Sequence, residues 1–190
     1  MEAEPVANAL AEHLEVARRV EELLPQVGEV ARRVIEAYGR GGRVFAFGNG
    51  GSAADAQHLT AELVGRYKRD RRSLAAVALT VDPSVVTAIG NDYSFEDVFA
   101  RQVEALVGAE DVVVAFTTSG RSPNVLRGLA AAREVGATTV LFGGGDAEVE
   151  ADCRLIVPSS STARVQEMHL LLMHLLLDQI DEWAAGDAGR

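Results

Sequence analysis

A chain of 190 residues, 48% of them hydrophobic and 24% charged, suits one domain over residues 1–190, and nothing in it requires a second. A formal net charge of −10 argues against nonspecific nucleic-acid binding, and the one basic run, Lys68-Arg69-Asp70-Arg71-Arg72, reads as a solvated loop before a strand. A single cysteine, Cys153, excludes an internal disulfide and a Cys-based zinc knuckle, so an inert buried thiol is expected there.

The opening Met1-Glu2-Ala3-Glu4-Pro5 is acidic and lacks the basic start and apolar core of a signal peptide. The apolar run from Leu170 to Leu177 is too short to span a bilayer. A cytoplasmic protein with no membrane partner is the expectation.

Val6, Leu10, Leu14, Ala17, Val20, Leu24, Val27, Val30 and Val34 follow one another at steps of three or four, which predicts an amphipathic helical region. Pro25 is expected to divide it into two helices, because proline removes a backbone donor and clashes with the preceding turn. Such a pair must bury its apolar stripe against the domain or a neighbouring subunit.

From Arg43 the pattern becomes β-α repeated. Short apolar strands are predicted at Arg43–Phe47, Leu74–Leu79, Asp111–Phe116, Thr138–Phe142 and Cys153–Val157. Helices are predicted at about Ser52–Arg66, Pro83–Ile89, Phe95–Val107, Ser122–Val135 and Thr162–Ala185. This alternation implies an α/β fold, a parallel sheet between helical layers, with a site at the carboxyl ends of the strands.

Two hydroxyl-rich loops follow strands and open into helices: Gly48-Asn49-Gly50-Gly51-Ser52 and Thr117-Thr118-Ser119-Gly120-Arg121-Ser122. Backbone N–H groups and helix dipoles at such loops face an anion, and the hydroxyls add donors. The pair suggests a site for a small phosphorylated polyol. Gly48-x-Gly50-x-x-Ala53 also meets the loose dinucleotide fingerprint, but the expected acidic residue is misplaced, since Asp82 lies well beyond the usual interval. No nucleotide cofactor is expected.

His58 and Glu62, four apart, share one helix face and can chelate a metal or set a carboxylate beside substrate. In the last helix, His174 lies in a Leu/Met stretch whose desolvation favours a neutral imidazole, while Glu167 and His169 read as ordinary surface residues. Asn91 and Asp92 read as a turn before a helix capped by Ser94, with Asp92 a candidate for binding substrate hydroxyls if it faces the site.

Taken together, Gly48-Asn49-Gly50-Gly51-Ser52, His58-x-x-x-Glu62-Leu63-x-Gly65-Arg66-Tyr67, Gly90-Asn91-Asp92, Thr118-Ser119-Gly120-x-Ser122 and Gln166-Glu167…His174 resemble the phosphoheptose isomerase family of sugar-isomerase (SIS) domain proteins. The resemblance runs from about Val6 to Trp183. It implies a flavodoxin-like three-layer αβα sandwich with a five-stranded parallel sheet, and a homotetramer with sites at subunit interfaces. It implies interconversion of sedoheptulose 7-phosphate and D-glycero-D-manno-heptose 7-phosphate through an enediol. Glu62 matches the family's general base and His174 its catalytic histidine. Asn49, Gly50, Gly51, Ser52, Thr117, Thr118, Ser119 and Ser122 match the phosphate loops, and Glu62, Arg66, Asn91, Asp92 and Gln166 complete the implied substrate site. Some members bind zinc through positions matching His58, Glu62, Gln166 and His174, so one zinc ion per subunit is expected.

The chain departs from the family in having Ala163 where an Asp is frequent. It also resembles a paralogue that binds the bacterial replication initiator as a noncatalytic tetramer, but that paralogue lacks the equivalents of Glu62 and His174. A sugar-phosphate-sensing module is the third reading.

Overall fold

The computed structural model describes residues 4–145 and 147–186; Met1, Glu2 and Ala3 of the acidic opening segment lie outside the described residues. Helix α1 (Glu4–Arg19) passes through a 3-10 turn (Val20–Leu23) into α2 (Leu24–Gly39). The break thus precedes Pro25, which sits in the first turn of α2, where its missing N–H costs no hydrogen bond.

The rest alternates: β1 (Val44–Gly48), α3 (Gly51–Val64), β2 (Ala76–Ala78), α4 (Pro83–Asp92), α5 (Ala100–Leu106), β3 (Val112–Phe116), α6 (Pro123–Glu134), β4 (Thr138–Gly144), β5 (Cys153–Val157) and α7 (Thr162–Gly186). All five strands are parallel, in the order β2-β1-β3-β4-β5. Successive side chains point to opposite faces, so each strand feeds two cores. Val44, Ala46, Val112, Val114, Val140 and Phe142 meet α2, α3 and α7, whereas Phe45, Phe47, Val113, Ala115 and Leu141 meet α5 and α6. That is the expected αβα sandwich.

Local details depart from the sequence pattern. β2 is only three residues long and lies at a sheet edge, with Val77 41% exposed. The segment expected as one helix over Phe95–Val107 is a 3-10 turn (Phe95–Asp97) followed by α5. Ser94 does cap that turn, accepting from Glu96 N–H at 3.1 Å. Asn91 and Asp92 are exposed in the last turn of α4 and bond to each other at 2.7 Å, so they do not form the expected turn. The helix, capped at its start by Asp82, which accepts from Ser84 and Val85 N–H, runs through them to the bond of Tyr93 N–H with the Ile89 carbonyl.

Candidate active site

In the order 2-1-3-4-5 the chain leaves β1 and β3 on opposite sides, so a crevice opens between their carboxyl ends. The two hydroxyl-rich loops border that crevice. A cavity of about 200 Å³ there is lined by Asn49, Ser52, Thr117, Thr118 and Ser122 from the loops and by Thr162 and Gln166 from α7. A neighbouring cleft takes Ser119, Arg121 and Ser160. Three helices, α3, α6 and α7, begin at this cup and direct their N-terminal dipoles at it.

The loop geometry needs its glycines. Gly50 has φ +56°, the left-handed region that disfavours a side chain, and a Cβ on Gly51 would collide with Gln166. The loops are tied together, since the amides of Asn49 and Asn124 exchange two hydrogen bonds of 2.8 Å. Thr117 is buried, and its hydroxyl oxygen accepts from Gly120 N–H at 3.2 Å, so it shapes the second loop. Ser119 is exposed and accepts from Arg121 N–H at 3.3 Å.

A second cluster lies farther along the same helices. His58 Nε2 is 3.4 Å from Glu62 Oε1. The rings of His58 and His174 meet edge to face at 5.2 Å, and Tyr67 stacks on His174 with centroids 5.2 Å apart. Burial is the main cause that lowers the His174 pKa, joined by His58 and Lys68, while Glu62 pulls it back up. Asp55, one turn before His58, has Oδ2 buried without a hydrogen-bond partner, and burial lifts its carboxyl to about 6 against the pull of His58. Arg66 is exposed just beyond α3, and neither it nor Asn91 or Asp92 lines the cup.

The four expected zinc ligands do not converge in one chain. His58, Glu62 and His174 gather, but Gln166 is at the cup, eight residues before His174 and about 12 Å away along α7. Among the described residues, no three His, Cys, Asp or Glu side chains are placed to hold a metal ion. The imidazole and carboxylate donors suit zinc chemically, yet the placement within one chain does not fit the implied set.

Several residues differ from the sequence reading. His169 is fully buried, not on the surface: its Nε2–H donates to the Gly143 carbonyl at 3.1 Å, and its ring abuts Phe116 and Phe142. Glu167 is engaged by His13 at 2.7 Å and by Arg164 at 2.7 Å, tying α1 to α7. Within the basic run, Arg71 is not solvated; its side chain is 1% exposed and paired with Asp181. Tyr67, Thr162 and Arg121 were missed as site residues. Each carried a signal: Thr162 is a hydroxyl at the start of a helix, Arg121 lies within the hydroxyl-rich loop, and Tyr67 closes the motif that follows Glu62.

The SIS domain family matches residues 10–144. Phosphoheptose isomerase 1 of Campylobacter jejuni is 49% identical over 174 residues, 90% of this chain and 94% of that protein. The solved phosphoheptose isomerase of Neisseria gonorrhoeae superimposes with a TM-score of 0.88 at 42% identity, covering 94% of this chain and 98% of that one. The structure of a phosphoheptose isomerase from Francisella tularensis gives 0.91 at 32% identity, covering 96% and 100%. Similarity of this extent, over nearly the whole of both chains, places the protein in the phosphoheptose isomerase family of SIS-domain proteins.

Proposed function

We propose that the protein interconverts sedoheptulose 7-phosphate and D-glycero-D-manno-heptose 7-phosphate. The observation that carries this is the gathering of Glu62, His58 and His174 from two helices that both begin at an anion cup. Such a reaction moves a proton between adjacent carbons. Glu62 takes the proton from C1 of the ketose, the C1–H electron pair forms the enediol double bond, and the C2 oxygen gains a proton. His174 carries the proton between the two oxygens, and Glu62 returns its proton to C2, leaving the aldehyde at C1. Thr118, Ser119, Ser122, Ser52 and the N–H groups of Gly50 and Gly51 hold the phosphate, so binding far from the reacting carbons supplies orientation. Thr117 maintains the loop, while Asn49, Gln166, Arg66, Asn91 and Asp92 remain candidate contacts to the sugar.

Distance supports a multi-copy site. Glu62 lies eleven residues along α3 from Gly51, a rise of about 16 Å. From C1 to phosphorus the substrate has eight bonds of about 1.5 Å, shorter even when straight. A cup from one copy and the acid–base pair from another would remove the mismatch. The apolar stripe of α1 also lacks cover in the single chain, with Val6, Leu10 and Leu14 73%, 60% and 46% exposed. A homotetramer fits both facts. The zinc ion, with His58, Glu62, Gln166 and His174 as its ligands, is proposed only for an assembly in which Gln166 of one copy meets the other three residues of another, and no step here depends on it. Among the described residues, no helix is long and apolar enough to cross a membrane; a cytoplasmic location belongs to the proposal.

The noncatalytic scaffold is the weaker reading, because it has no use for a carboxylate and two imidazoles grouped in this way. Incubating the purified protein with sedoheptulose 7-phosphate should yield aldoheptose phosphate, with or without added zinc. No product under either condition would reject the enzyme.

A further inference from the structure

Within the basic run that reads as a solvated loop, Arg71 is built into the interior, while Lys68, Asp70 and Arg72 stay exposed. Arg71 Nε donates to Asp181 Oδ1 at 2.6 Å, and the two side chains are 1% and 0% exposed. The rest of the guanidinium grips the end of α3: Nη2 donates to the Glu62 carbonyl at 2.7 Å, and Nη1 to the carbonyls of Leu63 at 2.9 Å and Arg72 at 2.8 Å. These include helix-end carbonyls that lack an intrahelical donor. Asp181 in turn accepts the backbone N–H groups of Lys68 at 2.8 Å and Arg69 at 2.6 Å. It stands seven residues after His174, on the same face of α7 two turns on.

One buried pair therefore touches the backbone of Glu62, fixes the strap over residues 65–72, and sits on the helix of His174. The strap carries Tyr67, whose ring lies on the His174 imidazole. A charge pair removed from water gives no assured stability compared with apolar packing. Its geometric yield is definite, since a planar fork with several donors sets an angle as well as a distance. We propose that Arg71 and Asp181 are positioning residues that hold Glu62 and Tyr67 in register with His174. This proposal rests on the isomerase reading for its catalytic consequence. The placement itself can be measured without turnover.

Arg71→Lys keeps the charge opposite Asp181 but cannot span the three carbonyls. In the full chain it should lower kcat by tenfold or more, towards the 10²-fold typical of misplaced groups, with KM for the phosphosugar within about threefold, because the cup is untouched. The chain has four histidines, so the His174 imidazole signal can be followed by NMR; it should move in Arg71→Lys as the Tyr67 ring shifts, with His169 unmoved. Asp178→Asn breaks only the outer pairs with Arg69 at 2.7 Å and Lys68 at 3.6 Å, both well exposed, and should keep kcat within about twofold. If Arg71→Lys does not fold, Tyr67→Leu tests the same register: kcat should fall with KM held, and Tyr67→Phe should restore it. An unmoved His174 signal, an unchanged kcat, or a loss seen only in KM would overturn the proposal. A wild-type protein without turnover would instead reject the isomerase reading, leaving the imidazole signal to decide the placement.

Discussion

The imidazoles of His58 and His174 meet edge to face, 5.2 Å apart with their planes at 76°, and His58 also lies 3.4 Å from Glu62. Helices α3 and α7 thereby bring two proton carriers and one carboxylate to a single spot. The contact is possible because both helices start at the sheet's carboxyl edge and run side by side, with Gly51 against Gln166 and Tyr67 against Asp181.

That contact makes the metal question testable. If zinc binds, it should raise activity or thermal stability in wild type, and His58→Ala should abolish the response, because imidazole is a good zinc ligand. A chelator-treated, metal-free preparation with full activity would show that zinc is dispensable.

At the cup, Ser119→Ala should weaken substrate affinity by about 1.5–3 kcal/mol, the worth of a hydrogen bond to a charged oxygen. Inorganic phosphate should compete with substrate for the same loop. Unchanged kinetics in both Ser119→Ala and Ser122→Ala would remove that loop from the site.

The exposed stripe on α1 predicts assembly. Wild type should run as a homotetramer in light scattering, and Leu10→Glu with Leu14→Glu should lower the mass and the activity together. A fully active monomer would refute the shared site.

Burial holds His169 neutral, pushing it down to about 4 from an ordinary 6.5, against the opposing hydrogen bond to Gly143. The unfolded chain therefore takes up the proton first. Stability contributed by the neutral ring is complete above about pH 6.5 and falls as pH drops towards 4, by about 3 kcal/mol in all. Urea unfolding at pH 7 and pH 4.5 should show the loss, and His169→Gln should flatten it. An equal loss in both proteins would assign the acid sensitivity to other groups.

Much of this was legible in the chain. The three central strands, β1, β3 and β4, were readable because they are buried on both faces and so are mostly apolar, as in Val112 to Phe116. The edge strand was overestimated because Leu74 and Leu79 are buried while Val77 between them is not. His169 was misread although Val165, Leu172 and Leu176 place it on the buried stripe of α7; its polarity masked a position that helical spacing had set. Arg71 and Asp181 were illegible for a different reason: they pair across 110 residues, and composition alone cannot distinguish a buried fork from a solvated charge.

The central claim is that Glu62 and His174 form the acid–base pair of the isomerisation. The most direct test is exchange of the substrate's C1 hydrogen with solvent deuterium, followed by NMR in wild type, Glu62→Gln and His174→Ala. Glu62→Gln keeps shape and phosphate binding but cannot accept the carbon-bound proton, so exchange and turnover should each fall by at least about 10²-fold. His174→Ala should fall similarly, and the double variant should be little worse than the worse single one. Near-normal exchange in Glu62→Gln, with substrate still bound, would mean that another group takes the proton and would contradict the mechanism.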